Sequence, residues 1–180
     1  METTVSTPTE KNNGRVVVPG SLDALLELGP EALSTLYRTA TVPRLADVQG
    51  DLRGRMLAIP AFSRGAARPL GALAHVLASQ SWFPWRGKSF SPLGEDRGEG
   101  INRIVSDRFK LYRFETFIGP SRAGAFDAVQ LDYDLPENPF FIRVIKDEIR
   151  QLSPGLYLGQ AWLNVGNEPK LGLYFGLTSK

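Results

Sequence analysis

From residue 88 to the end of the chain, apolar runs of strand length alternate with turn residues: Lys88 to Ser91, Ile101 to Val105, Arg108 to Ile118, Phe126 to Tyr133, Leu156 to Val165 and Leu171 to Leu177. Short runs rich in β-branched and aromatic residues, bounded by Gly, Pro, Asn and Asp, predict strands. Three connections read as hairpin loops, namely Gly94 to Gly100, Gly119 to Gly124 and Gly166 to Pro169. Ahead of them, Leu52 to Ile59 predicts one more strand. Helical spacing marks other stretches. Ser21 stands before Leu22, Leu25 and Leu26 as an N-cap, and Pro30 opens a second helix carrying Leu33, Leu36 and Tyr37. Pro69 opens a third, with Leu70, Leu73, Ala74 and Leu77 on one face and His75 off it. Asn138-Pro139 opens a fourth. There Phe141, Ile142, Ile145, Ile149 and Leu152 recur at three and four, Lys146, Asp147 and Arg150 take the other side, and Ser153-Pro154-Gly155 ends the helix.

Many strands with hairpin-scale connections favour a closed barrel or strongly curved sheet over an α/β sheet, which needs a helix after each strand. The pattern predicts a mainly β (α+β) domain. Its form is a small antiparallel barrel or strongly curved sheet of about seven to eight strands, with short N-terminal helices and one helix before the last hairpin. The polar stretch over residues 1–15 reads as a disordered tail, and 16–180 as a single barrel-like domain without a linker.

The strand faces are not simply wet on one side. Phe109, Leu111, Arg113, Glu115 and Phe117 share one face of the long strand, and Lys110, Tyr112, Phe114, Thr116 and Ile118 the other, so both are covered. If the faces bearing Arg113, Glu115, Gln130, Asp132, Gln160, Trp162 and Asn164 all point inward, the barrel holds a mostly apolar pocket with a few hydrogen-bonding groups. If they point outward, helices cover their large residues. Without registers the two arrangements stay open.

Composition narrows the chemistry. The 180 residues contain no cysteine and one histidine, which removes disulfides, thiolate nucleophiles and the common two-histidine metal sites. No cofactor and no metal are called for. Asp147-Glu148 on its helix reads as surface charge, and Asp132-Tyr133-Asp134 lacks a third ligand for a divalent ion. His75, on the polar side of its helix, has no carboxylate or nucleophile supplied by spacing. Residues 38–110 carry twelve basic against six acidic side chains, but the arginines are scattered singly, so the region reads as a solvated basic face with no nucleic-acid partner. No stretch reaches the length of a transmembrane helix and the N-terminus has no signal-peptide pattern, so no membrane insertion and a cytoplasmic location are expected.

The densest aromatic segment is Trp82-Phe83-Pro84-Trp85-Arg86-Gly87-Lys88-Ser89-Phe90. It is either a lip of rings over a barrel mouth, with Arg86 and Lys88 positioned for an anionic group, or a plug that closes the barrel end.

With helices in front, short antiparallel strands, the Trp85-Arg86-Gly87-Lys88 segment and the closing hairpin that starts at Leu156-Tyr157-Leu158-Gly159, residues 51–177 resemble the calycin-like barrels, the group of lipocalins and fatty-acid-binding proteins. The likeness is architectural: the Gly-x-Trp motif of lipocalins is absent, since Trp85-Arg86-Gly87 runs in the reverse order. The resemblance implies an apolar ligand inside the barrel. Three functions follow. One is a binding module for an apolar or amphipathic small molecule, using Trp82, Trp85, Arg86, Tyr112, Arg113, Gln130, Gln160, Trp162 and Asn164. A second is a cofactor-free cyclase or isomerase in which Glu115, Asp132 or Tyr174 supplies a proton. A third is a protein-interaction domain with a filled core.

Overall fold

Ser21 accepts a hydrogen bond from the Ala24 amide and so caps α1 (Leu22–Leu26), while Pro30, whose missing N–H costs nothing in a first turn, opens α2 (Pro30–Thr39). A computed structural model describes residues 18–60, 85–104, 109–164, 166 and 168–179. The tail over 1–15, the helix expected after Pro69 with His75, and Trp82 lie outside the described residues.

After a 3₁₀ turn (Leu45–Asp47) come β1 (Gly50–Ala58), β2 (Trp85–Pro92), β3 (Gly98–Ile104), β4 (Lys110–Pro120) and β5 (Asp127–Asp132), the single-turn helix α3 (Phe140–Arg143), β6 (Ile145–Ser153), β7 (Leu156–Leu163) and β8 (Lys170–Thr178). Each strand pairs antiparallel with the next and β8 returns to β1, which closes an eight-stranded barrel. Closure leaves no sheet edge to template aggregation. We refer to the end where β1, β3, β5 and β7 finish as the upper end.

The long helix expected over 138–152 is corrected to one turn followed by a strand. A spacing of four, as in Ile145 and Ile149, keeps two residues on one face of a helix and of a strand alike. The pairing with β5 and β7 decides for the strand: Ile145, Asp147 and Ile149 turn inward, and Lys146, Glu148 and Arg150 outward. Asp147 and Glu148 are therefore not surface charge; both are buried.

Two apolar cores result. Leu52, Phe90, Phe114, Val129, Leu131, Tyr133, Ile149, Tyr157, Phe175 and Leu177 form one buried cluster inside the barrel, with Leu45 and Val48 among them. Outside the wall, Leu22, Leu25, Leu33, Leu36 and Tyr37 of α1 and α2 pack on Leu156, Leu158 and Tyr174 of β7 and β8.

Register shifts interrupt the ladders between Met56 and Ala58, between Trp85 and Gly87, at Tyr112 opposite Ile101 and Asn102, and between Ala161 and Trp162. These four lie toward the upper end; a fifth, between Gln151 and Ser153, lies at the opposite end. Bulges gather at barrel rims and beside functional sites because they re-aim side chains. Tyr112 has φ +61°, a left-handed conformation that costs a bulky residue strain. Gly87, at φ +130°, is needed for contact as well: a Cβ there would lie 2.0 Å from the Leu52 carbonyl oxygen.

Candidate functional site

The registers assign the faces that the sequence left open. Arg113, Glu115, Gln130, Asp132, Gln160 and Trp162 stand on the outer side of the wall, opposite the buried cluster inside the barrel. The inward arrangement is thereby corrected: α1, α2 and the β4–β5 loop cover the outer faces of β5 to β8, but the expectation that both faces of the long strand are covered fails, because Phe109, Leu111 and Phe117 are exposed. Arg113 pairs with Glu99 at 2.6 Å with its side chain 53% exposed, Glu115 is exposed, and Asp132 pairs with Lys146. Tyr174 is buried beneath α1 and α2. Arg86 is exposed at its bulge, and Asn164 is exposed beside a shallow groove of about 320 Å³ lined also by Asp134, Phe140, Arg143, Val144 and Lys146. Of the expected ligand-binding residues that are described, Trp85 and Tyr112 pack against the barrel interior.

Inside the upper half of the barrel, three strands bring together a group that the spacing did not reveal. Lys88 on β2 donates to Asp147 Oδ2 and to Asn102 Oδ1, both at 2.9 Å, and to the Tyr133 hydroxyl. Tyr133 donates to Asp147 Oδ2 at 3.0 Å and accepts from Asn102 Nδ2 at 3.1 Å. Trp85 Nε1 donates to Asn102 Oδ1 at 3.1 Å, and Asn102 Nδ2 also reaches the carbonyl of strained Tyr112 at 3.3 Å. All three ammonium protons have a partner. Asp147 Oδ1, in contrast, is buried and accepts no hydrogen bond among the described residues.

Aromatic rings enclose the ammonium. Its Nζ lies 5.2–5.5 Å from the ring centroids of Trp85, Phe114, Tyr133 and Phe175, within cation–π range. Three of these rings sit on glycines of adjacent strands. A Cβ at Gly54, Gly100 or Gly159 would approach Trp85, Phe114 or Phe175 to 2.5, 2.4 or 2.2 Å respectively. Burial pushes the Lys88 amine below its ordinary value even though the Asp147 charge opposes that shift. Burial, then the same carboxylate, raises the Tyr133 phenol well above 10.

A second polar group lies on the outer wall. Glu148 is fully buried, and its carboxylate accepts from Ser121 Oγ at 2.8 Å, the Arg122 amide at 3.0 Å, Trp162 Nε1 at 3.2 Å and Gln130 Nε2 at 3.4 Å. The Arg122 guanidinium adds an ion pair at 3.6 Å. Gln130, Glu148, Gln160 and Tyr174 form one row across β5 to β8. Arg150, on the same face, donates to the Tyr37 and Arg38 carbonyls at the end of α2 and stacks 4.2 Å over Phe126. It anchors the helix to the barrel.

No group of three metal-ligating side chains occurs among the described residues, and none of their helices is long and apolar enough to cross a membrane. No protein-family model matches the chain, and no curated protein matches it. A solved structure of a protein from Thermomonospora curvata is similar, with a TM-score of 0.52 and 21% identity over 86% of this chain and 89% of that one. At that identity the likeness is one of fold.

Proposed function

We propose that the chain binds an apolar or amphipathic small molecule in the upper half of its barrel, with the molecule's polar end at Lys88, Asp147, Tyr133 and Asn102. One observation carries the reading: a buried lysine–carboxylate pair, with an unpartnered carboxylate oxygen, set among aromatic rings. A buried ion pair is a poor source of stability compared with apolar residues of the same volume, so its presence in an apolar interior points to use. The aromatic surround supplies apolar contact, and the polar cluster fixes orientation. Partly buried Trp85, Tyr112, Ile145, Ala161 and Leu173 pack against this core toward the upper end. The reading extends to this chain the apolar ligand implied by its likeness to calycin-type barrels.

Native mass spectrometry of freshly purified protein should show a retained small molecule. An apolar naphthalene dye should quench Trp85 emission, and Trp85→Ala should weaken the dye more than it lowers stability. No quenching, and no loss of dye affinity in the folded fraction of Trp85→Ala, would refute it.

The cyclase or isomerase reading draws support from the same cluster and not from Glu115, Asp132 or Tyr174, which lie on the outer wall. A lysine with a lowered pKa beside a phenol is suited to proton transfer on a substrate held in shape by the barrel. Turnover would then be lost in Lys88→Met.

A further inference from the structure

We infer that Lys88 is a carbonyl-capturing amine, which forms an imine with an apolar aldehyde or ketone bound in the barrel. This rests on the pocket proposed above and names its ligand class. Three features of the geometry lead to it. Lys88 Nζ lies at hydrogen-bond distance from both a carboxylate, Asp147, and a phenol, Tyr133, so a proton acceptor and a proton relay touch the amine. The surrounding rings stabilise a cation at this nitrogen whether it is an ammonium or an iminium. And Asp147 Oδ1 has spare acceptor capacity for a hydroxyl that develops during addition. Burial lowers the amine's proton affinity and so eases the transfer of a proton to Asp147 that must precede attack.

The step balances within these groups. The ammonium passes one proton to Asp147, leaving a neutral amine and a carboxylic acid. The nitrogen lone pair attacks the carbonyl carbon, a C–N bond forms, and the carbonyl π pair moves to oxygen. One of the two protons on the new ammonium nitrogen then moves to that oxygen through the Tyr133 hydroxyl, which gives a carbinolamine. Asp147 returns its proton to the carbinolamine hydroxyl, which leaves as water while the nitrogen lone pair closes the C=N bond. The products are a protonated imine beside the Asp147 carboxylate, and one water. Net charge is unchanged, and the cation remains among the same rings.

The test treats full-length protein with 2-naphthaldehyde and sodium cyanoborohydride, whose hydride reduces the iminium to a stable secondary amine, followed by peptide mapping. Lys88 should be modified about tenfold faster than exposed Lys110 and Lys170, as expected of a desolvated amine with an adjacent proton relay. Tyr133→Phe should slow that modification, and Lys88→Arg should abolish it without changing the modification of Lys110. Labelling of Lys110 and Lys170 that leaves Lys88 untouched, with the naphthalene dye still quenching Trp85, overturns the imine and leaves the pocket standing. Absence of both dye quenching and Lys88 labelling overturns the two together. If Lys88→Arg fails to fold, the wild-type peptide map and Tyr133→Phe decide.

Discussion

Asp147 and Glu148 are consecutive residues of β6 and point to opposite sides of the barrel wall, and both are buried, but their surroundings differ in kind. Glu148 is saturated: hydroxyl, amide, indole and carboxamide donors converge on its two oxygens, and they come from the β4–β5 loop, β5 and β7. Such a carboxylate pins elements together and has little left to offer a ligand. Asp147 relies on Lys88 and Tyr133, both on one oxygen, and the other oxygen is unused. Equal burial thus serves two purposes. The outer group builds the wall, and the inner one is equipped to bind.

The largest expected effect tests the outer group. Glu148→Ala removes the acceptor of four donors and leaves the Arg122 guanidinium with only Gln130 Oε1, so it should cost about 3–5 kcal/mol in urea unfolding. A cost under about 1 kcal/mol, the range of an exposed ion pair, would mean that these hydrogen bonds do not hold the loop and strands together. Lys88→Met should cost somewhat less, about 3 kcal/mol, because it strands Asp147, and Lys88→Met with Asp147→Leu should recover most of that loss. Full additivity in this double-mutant cycle would mean that the inner pair is not coupled.

Alkali distinguishes the two groups from exposed side chains. Tyr133 beside Asp147, and Tyr37 near Glu148, both have folded pKa values raised above 10 by burial. The unfolded chain therefore loses these protons first as pH rises. Their stabilising contribution is complete below pH 10 and falls above it. Tyrosinate absorbance at alkaline pH should show these two phenols ionising only as the fold is lost; their titration in the folded protein with an ordinary midpoint would contradict the burial. A chain starting at Gly14 should melt in a single transition at the full chain's temperature; two separated transitions would count against one cooperative domain. The smallest effect belongs to exposed Glu115: Glu115→Gln should change stability by under about 0.5 kcal/mol.

The barrel was legible because period-two alternation and turn residues are local signals. Leu52, Phe114, Leu131 and Phe175 announce strands wherever the strands lie. The inner cluster was not, because Lys88, Asn102 and Asp147 lie on three strands, Tyr133 just past the end of a fourth, and they meet only through register. Lys88 could be read only as a companion of Arg86 for an anion, although the bulge at Gly87 turns the two to opposite sides. Asp147 was hidden by the apparent helix over 138–152, in which the repeat of Ile145 and Ile149 satisfies both periods. Gln130, Gln160 and Trp162 were correctly grouped on one face, but that face is outside, where α1, α2 and the β4–β5 loop replace solvent.

The seats of the aromatic cage have a consequence for what the barrel can hold. Because Trp85, Phe114 and Phe175 each rest in the gap left by a missing side chain, the bore around Lys88 is set by Gly54, Gly100 and Gly159, none of which touches the ammonium. A methyl group at Gly159 would force the Phe175 ring off its seat, and at Gly54 or Gly100 it would also press on the neighbouring strand, at the Gly87 Cα (2.8 Å) or the Ser89 carbonyl oxygen (2.5 Å). The calibre of the barrel is therefore held by three positions that contribute no side chain to its chemistry.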